Sequence, residues 1–132
     1  MVRRYRAFGW DLGIAFQVND DLLGIWGLES TTGKEPTDIA RRKKTLPVIY
    51  AFERADPGDR ERLAALYADR APSPAIAAEI VAILERTGAR EFTRATARRH
   101  RDRALAELDA AGVVLPAARA RLEEIVNRVI SA

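Results

Sequence analysis

The residues most able to do chemistry sit between positions 16 and 47, FQVNDDLLGIWGLESTTGKEPTDIARRKKTLP. Gln17 and Asp20 are three residues apart in a helical pattern, so they share a face, while Asp21 points roughly a hundred degrees away. A carboxylate so placed can hold Mg²⁺, with water and substrate oxygens completing the shell. A polar loop follows, carrying Lys34 after Gly33, and then the basic run Arg41-Arg42-Lys43-Lys44. The loop returns the chain toward the acidic helix end, which places Lys34 and Lys43 or Lys44 to add positive charge there. Carboxylates and lysines in this order suit a polyphosphate held through a divalent cation, whose charge is neutralised as a C–O bond breaks. The plainer reading of the same spacing is two solvated acids near a helix end, followed by a basic surface run.

The elements that must position these residues are helices. Residues 1–26 read as one helix, with Phe8, Leu12, Ala15, Phe16, Leu22, Leu23 and Trp26 recurring at three- and four-residue steps. No N-cap precedes it, and Arg3, Arg4 and Arg6 sit where the helix dipole disfavours cations. That start fits either a chain beginning inside an element or a frayed end. Residues 27–38 read as a loop punctuated by Ser30, Thr31, Thr32, Gly33 and Pro36. Thr45 is placed as an N-cap, with Pro47 in the first turn of a helix to about residue 55. Asp59 is placed to cap a helix to about residue 68. Helices at 75–87 and 89–111 follow, stopped by Gly88 and Gly112. The first carries Ile76, Ile80, Ile83 and Leu84 inward, and the second Phe92, Ala97, Ala104, Leu105 and Leu108. Pro116 opens a last helix with Leu122, Ile125, Val126, Val129 and Ile130 as its apolar set. Val113-Val114-Leu115 is the one strand candidate, and it reads better as a loop anchor. The chain is therefore expected to be all-α, a helical bundle in one domain over residues 1–132.

Composition narrows the functions. With 132 residues, 48% of them hydrophobic, the chain is long enough to bury a core. It has no cysteine and one histidine, which excludes disulfides, thiolate metal sites, a cysteine nucleophile and a multi-histidine metal site. The formal charge of +3 is a mild excess over many mixed charges. No apolar stretch follows the N-terminal arginines as in a signal peptide, and none is long enough to span a membrane. A soluble, cytoplasmic protein is expected. Arg98, Arg99, Arg101 and Arg103 are interleaved with acids and lack an aromatic stacking platform, so no nucleic-acid partner is expected. His100, without an evident partner, reads as a surface residue, and Trp10 and Trp26 as core or interface.

FQVNDDLLGIWG, then Gly-Lys, then DIARRKKTLP resembles the second half of the trans-type polyprenyl diphosphate synthases. Those enzymes carry FQ-x-x-DD-x-x-D on a helix, a GK step, then D-[IL]-x-x-x-K-[KT] and LP. Thr87-Gly88-Ala89 and Ala104-Leu105 resemble the family's tail more loosely. The resemblance runs over essentially the whole chain and only the latter part of such an enzyme. It implies a partial isoprenoid synthase fold of helices around a cavity, where Mg²⁺ ions hold an allylic diphosphate between two Asp-rich motifs. Isopentenyl diphosphate then attacks the allylic cation formed on ionisation.

Carried over, the resemblance makes Asp20 a Mg²⁺ ligand and has Asp21 act through water in the same shell. Gln17 would hydrogen-bond near the diphosphate or the cationic carbon. Lys34, Lys43 and Lys44 would face diphosphate oxygens, Lys43 matching best by its spacing from Asp38. Phe16 would line the cavity for the prenyl chain, or equally would be a core phenylalanine. Two departures stand out. Gly24 replaces the last Asp of the motif, removing a carboxylate one turn from Asp20. The interval from Gly33 to Asp38 is one residue shorter than usual. The sequence also carries no first Asp-rich motif, no isopentenyl-site basic cluster and no chain-length wall. A weakly active or inactive part of a synthase is expected, associating as a homo- or hetero-oligomer. The alternatives are a non-catalytic partner or regulatory subunit, or a truncated fragment acting only through helix association.

Overall fold

The computed structural model describes residues 2–27, 36–112 and 115–130. Seven helices follow one another there, and no strand occurs among the described residues: α1 Val2–Trp26, α2 Thr37–Ala40, α3 Leu46–Arg54, α4 Pro57–Ala68, α5 Pro74–Thr87, α6 Ala89–Ala110 and α7 Pro116–Val129. The all-α expectation holds. Lys34, most of the 27–38 loop, Val113 and Val114, and the side chain of Val129 lie outside the described residues. The chain divides into two compact units, one made of residues up to Asn19 and from Arg94 onward, the other of Asp20–Thr93.

In the second unit α5 is the centre, packing against α2, α3 and α4. Its Ala77, Ile80, Ile83 and Leu84 recur at helical spacing and are buried, together with Ile39, Val48, Leu63 and Leu66. Burying such side chains contributes about 1.5–3 kcal/mol each, the main term holding the unit together. Tyr50 stacks on Phe92 at 4.1 Å between ring centroids, and Phe52 meets Tyr67 edge-on at 6.0 Å. Two forked ion pairs tie α4 to α5, Arg62 to Glu79 and Arg86 to Asp59. Their ends are solvated, so they set register more than stability.

Helix ends follow local chemistry. Gly88 ends α5 in the left-handed region at φ 79°, which a side chain disfavours. Asp56 caps α4 by accepting from the Asp59 amide at 2.8 Å. The expected cap at Asp59 is thus displaced by one turn. Pro57 and Gly58 are the first helical residues, since proline suits the first position of a helix. Asp59 instead pairs with Arg86. A short helical turn at Thr37–Ala40 was also not expected, because it falls among loop-forming residues.

The first unit holds the opening of α1, most of α6, and α7. Its buried set includes Ala15, Val18, Ala97, Ala104, Leu108, Val126 and Ile130. Several expected core residues are exposed instead: Phe16 by 55%, and Ile125 by 49%, with Leu23 of the second unit exposed by 45%. On α1 the buried phase is Asp11, Ala15, Val18, Leu22, which the larger apolar residues had obscured. Trp10 is exposed, whereas Trp26 is buried beneath the Arg90 guanidinium, 5.7 Å from its ring centroid. His100 is not a free surface residue. Its Nδ1 lies 2.8 Å from the buried Asp11 Oδ1, and Arg103 Nε stands 3.6 Å from the same oxygen. Acid and imidazole both fall on the buried phases of their helices, which is why they meet.

Candidate functional site

The second unit brings the last turns of α1 to the segment 38–46. Asp20 is exposed and Asp21 is buried. Asp21 Oδ2 accepts a hydrogen bond of 3.2 Å from the Leu46 amide, the first residue of α3. An anion there meets the positive end of the helix and satisfies one of its unpaired amides. Thr45 is the N-cap residue by position, but its side chain makes no capping bond; the capping oxygen comes from Asp21. The Thr45 hydroxyl is buried without a hydrogen-bond partner among the described residues.

The basic run is divided between structure and surface. Arg42 is 6% exposed, so it is not part of a solvated patch. Its guanidinium donates to the carbonyls of Ile39, Asp69 and Ala71, at 2.5, 3.0 and 3.4 Å. It takes a left-handed backbone, φ 53°, to reach them. The neighbouring Lys43 is pinned through its backbone on both sides. Its amide donates to the Asp38 carbonyl at 2.9 Å, and its carbonyl accepts from the Tyr67 hydroxyl at 2.9 Å. Burial pushes the Tyr67 phenol well above its ordinary pKa, so it stays a donor. The Lys43 and Lys44 side chains remain exposed. The result is a fixed backbone presenting an exposed ammonium group whose charge is felt by the Asp38 carboxyl.

Asp38, in the first turn of α2, had entered the sequence reading only as a spacing mark. A Cβ built at Gly24 would lie 2.1 Å from Asp38 Oδ2 and 2.5 Å from its Cγ, so the carboxyl group occupies the space above the glycine. Burial pushes the Asp38 carboxyl above its usual pKa range, helped by Asp21 and Asp20 and opposed by Lys43 and Arg41. Acids and lysine are therefore electrostatic neighbours. Phe16 and Gln17, both exposed, belong to the part of α1 in the first unit.

Two observations bear on a hydrated divalent cation at this end of α1: Asp20 is exposed, and the Asp38 carboxyl lies over Gly24. Among the described residues no three acidic or histidine side chains stand close enough to enclose an ion by themselves. Such an ion would be shared with water and ligand oxygens, as Mg²⁺ commonly is. Elsewhere, a shallow depression on α6 is lined by Ala95, Arg98, Arg99, Asp102, Arg103 and Ala106, with none of the candidate residues. No helix among the described residues is long and apolar enough to cross a membrane.

Comparison with known proteins adds to this geometry. Residues 1–84 match the family model described as polyprenyl synthetase. Over 99 residues the chain is 41% identical to a (2E,6E)-farnesyl diphosphate synthase of Mycobacterium bovis, covering 71% of this chain and 27% of that protein. Over 128 residues it is 34% identical to heptaprenyl diphosphate synthase component 2 of Geobacillus stearothermophilus, covering 95% and 38%. Among solved structures it is similar to geranylgeranyl pyrophosphate synthase of Corynebacterium glutamicum complexed with isoprenyl diphosphate and magnesium. The TM-score is 0.82 at 31% identity, over 94% of this chain and 35% of that one. The chain thus spans well under half the length of each of these relatives.

Proposed function

Since this chain belongs to the polyprenyl synthetase family, we propose that it supplies one side of a prenyl diphosphate synthase site, the side that grips the diphosphate through Mg²⁺. The observation that carries this reading is the fixing of the segment 38–46 against the acid end of α1. Asp21 holds the start of α3, Arg42 anchors the loop, and Lys43 keeps an exposed side chain. When bound, the metal supplies charge neutralisation on a diphosphate as the allylic C–O bond ionises.

The chain's own residues divide the remaining work. Asp20, exposed and without a hydrogen-bond partner among the described residues, holds the ion directly. Asp21 acts through water while fixing α3. Lys43, with Lys34 and Lys44, pairs with diphosphate oxygens and stabilises the negative charge that grows on the leaving group. Gln17, one turn before Asp20, hydrogen-bonds near the diphosphate or the cationic carbon, and Phe16 faces the prenyl chain. The substrates are an allylic diphosphate and isopentenyl diphosphate, joined head to tail. Cytoplasmic location goes with such water-soluble substrates.

Titration with inorganic pyrophosphate, followed by calorimetry with and without Mg²⁺, tests this. Saturable binding that needs Mg²⁺ is expected, with little or no condensation product from the isolated chain given both prenyl substrates. Binding that is absent, or equal after removal of Mg²⁺ with a chelator, contradicts it.

A second reading has one observation in its favour. Val2, Tyr5, Trp10 and Phe16 leave large apolar surfaces uncovered on the first unit's part of α1, with Val2 72% and Trp10 71% exposed. Such surface favours association. On this reading the chain works as a component of an assembly, as a homo- or hetero-oligomer, with or without catalysis of its own.

A further inference from the structure

In the first unit, α1 turns Asp11, Ala15 and Val18 inward. Opposite them runs a stripe of Val2, Tyr5, Gly9, Gly13 and Phe16 at three- and four-residue steps, all exposed. Val2 is 72%, Tyr5 41% and Phe16 55% exposed, and Trp10, on the rim, 71%. Contiguous apolar surface of this kind is uncommon on monomeric proteins and marks sites of association.

The two glycines are not required by the chain that carries them. An added Cβ at Gly9 or at Gly13 would meet no atom within 4 Å. Both lie inside α1, and neither has a positive φ. Glycine in a helix interior is less favourable than alanine. What a pair of outward glycines one turn apart does provide is a shallow groove that another backbone can approach closely.

The face also matches itself when turned end for end. Tyr5 and Phe16 are eleven residues apart, three turns to within about 20°, so both rings stand on one side of the glycine groove. Arg6 and Gln17, with the same separation, stand on the other side. A two-fold axis placed between Gly9 and Gly13 sets each Tyr5 beside the Phe16 of the other copy. The same operation sets each Arg6 beside the other copy's Gln17 and lets Gly9 cross Gly13. Both aromatic contacts form at once, because the spacing is the same in each copy. Charge opposes the parallel arrangement, which would gather the exposed Arg3 and Arg6 of both copies, with both positive helix ends, in one place.

We propose that this face binds a second copy of the same chain, as an antiparallel two-fold pair of α1 helices. Tyr5 and Phe16 are its apolar anchors, and Gly9 and Gly13 its point of closest approach. This rests on the association reading above and names the partner. The second copy covers Phe16, so pairing and the holding of a prenyl chain exclude one another. One helix pair buries less than the roughly 1,600 Å² of a standard interface, so dissociation in the micromolar range is expected.

Sedimentation equilibrium of the full chain without ligands tests this, with thermal midpoints as a check on folding. A monomer–dimer equilibrium is expected. Gly9→Ala and Gly13→Ala should each weaken it about tenfold, since a methyl group overpacks the crossing point. Neither should lower the midpoint of the monomer, because alanine favours a helix over glycine. The chain has no cysteine, so introduced thiols report orientation. A mixture of Arg6→Cys and Gln17→Cys chains should be joined by a short bismaleimide, and Arg6→Cys alone should not. A parent chain that stays monomeric at its highest attainable concentration overturns the inference, and with it the homo-oligomer form of the association reading. A dimer that both glycine variants form as tightly as the parent, or that Arg6→Cys links to itself, overturns the inference while self-association stands.

Discussion

Asp20→Ala should cut Mg²⁺-dependent pyrophosphate binding by at least about a hundredfold while leaving the fold in place. Asp20 is exposed, and no described residue hydrogen-bonds to it, so its removal opens no cavity and orphans no donor. The expected change in unfolding free energy is within about 0.5 kcal/mol. Asp21→Ala should behave differently, because Asp21 accepts the Leu46 amide at the start of α3 and its loss also loosens a helix end. Titration calorimetry against pyrophosphate, paired with a urea melt of the same sample, separates the two outcomes. Undiminished affinity in Asp20→Ala would remove the acid end of α1 from any role with diphosphate.

Arg42→Ala should destabilise the second unit by about 3 kcal/mol. Charge-assisted hydrogen bonds contribute about 1.5–3 kcal/mol each, and losing this donor strands carbonyls on Ile39, Asp69 and Ala71. Lysine should not rescue, since a compact ammonium cannot reach three carbonyls as the planar guanidinium does. Arg42→Gly should be less harmful than Arg42→Ala by about 1 kcal/mol, because glycine takes φ 53° at no steric cost. The urea midpoints of the three variants give the order. Equal stability for alanine and the parent residue would show that the loop is held by something else. Since Lys43 follows directly, the destabilised variants should also bind pyrophosphate less tightly at temperatures where they remain folded.

The architecture was largely legible in the sequence because helix signals are local. Proline in the first turn of α3, α4, α5 and α7, Gly88 and Gly112 at positive φ, and the 3.6-residue recurrence on α5 all act within a few residues. What escaped depends on partners distant in the chain. Thr45 was legible as a cap position, but nothing local reveals that Asp21, 25 residues before Leu46, supplies the oxygen. Arg42 looks like one of four surface cations until its carbonyl partners, up to 29 residues away, are known. Asp11 lies on the phase of Ala15 and Val18, and His100 between the buried Ala97 and Ala104, so phase marks each as inward, while their pairing across 89 residues does not follow from it.

The site shows the same division. The order of Gln17, Asp20, Asp21, Asp38 and Lys43 could be read directly, along with the absence of an acid at position 24. Gly24 looked like a loss of one carboxylate. In three dimensions it is also an opening that another carboxylate occupies, which only the fold of α2 against α1 reveals. Phe16 was readable as either core or cavity wall, and its 55% exposure removes the core alternative within the described residues.

The most direct measurement is the anomalous scattering of manganese in crystals of this chain grown with inorganic pyrophosphate. If α1 and the segment after α2 form one anion site, a manganese peak stands within direct reach of Asp20, and the pyrophosphate bound to that ion contacts Lys43 Nζ. A manganese ion held elsewhere, or a pyrophosphate on Lys43 with no metal between it and Asp20, contradicts a shared site.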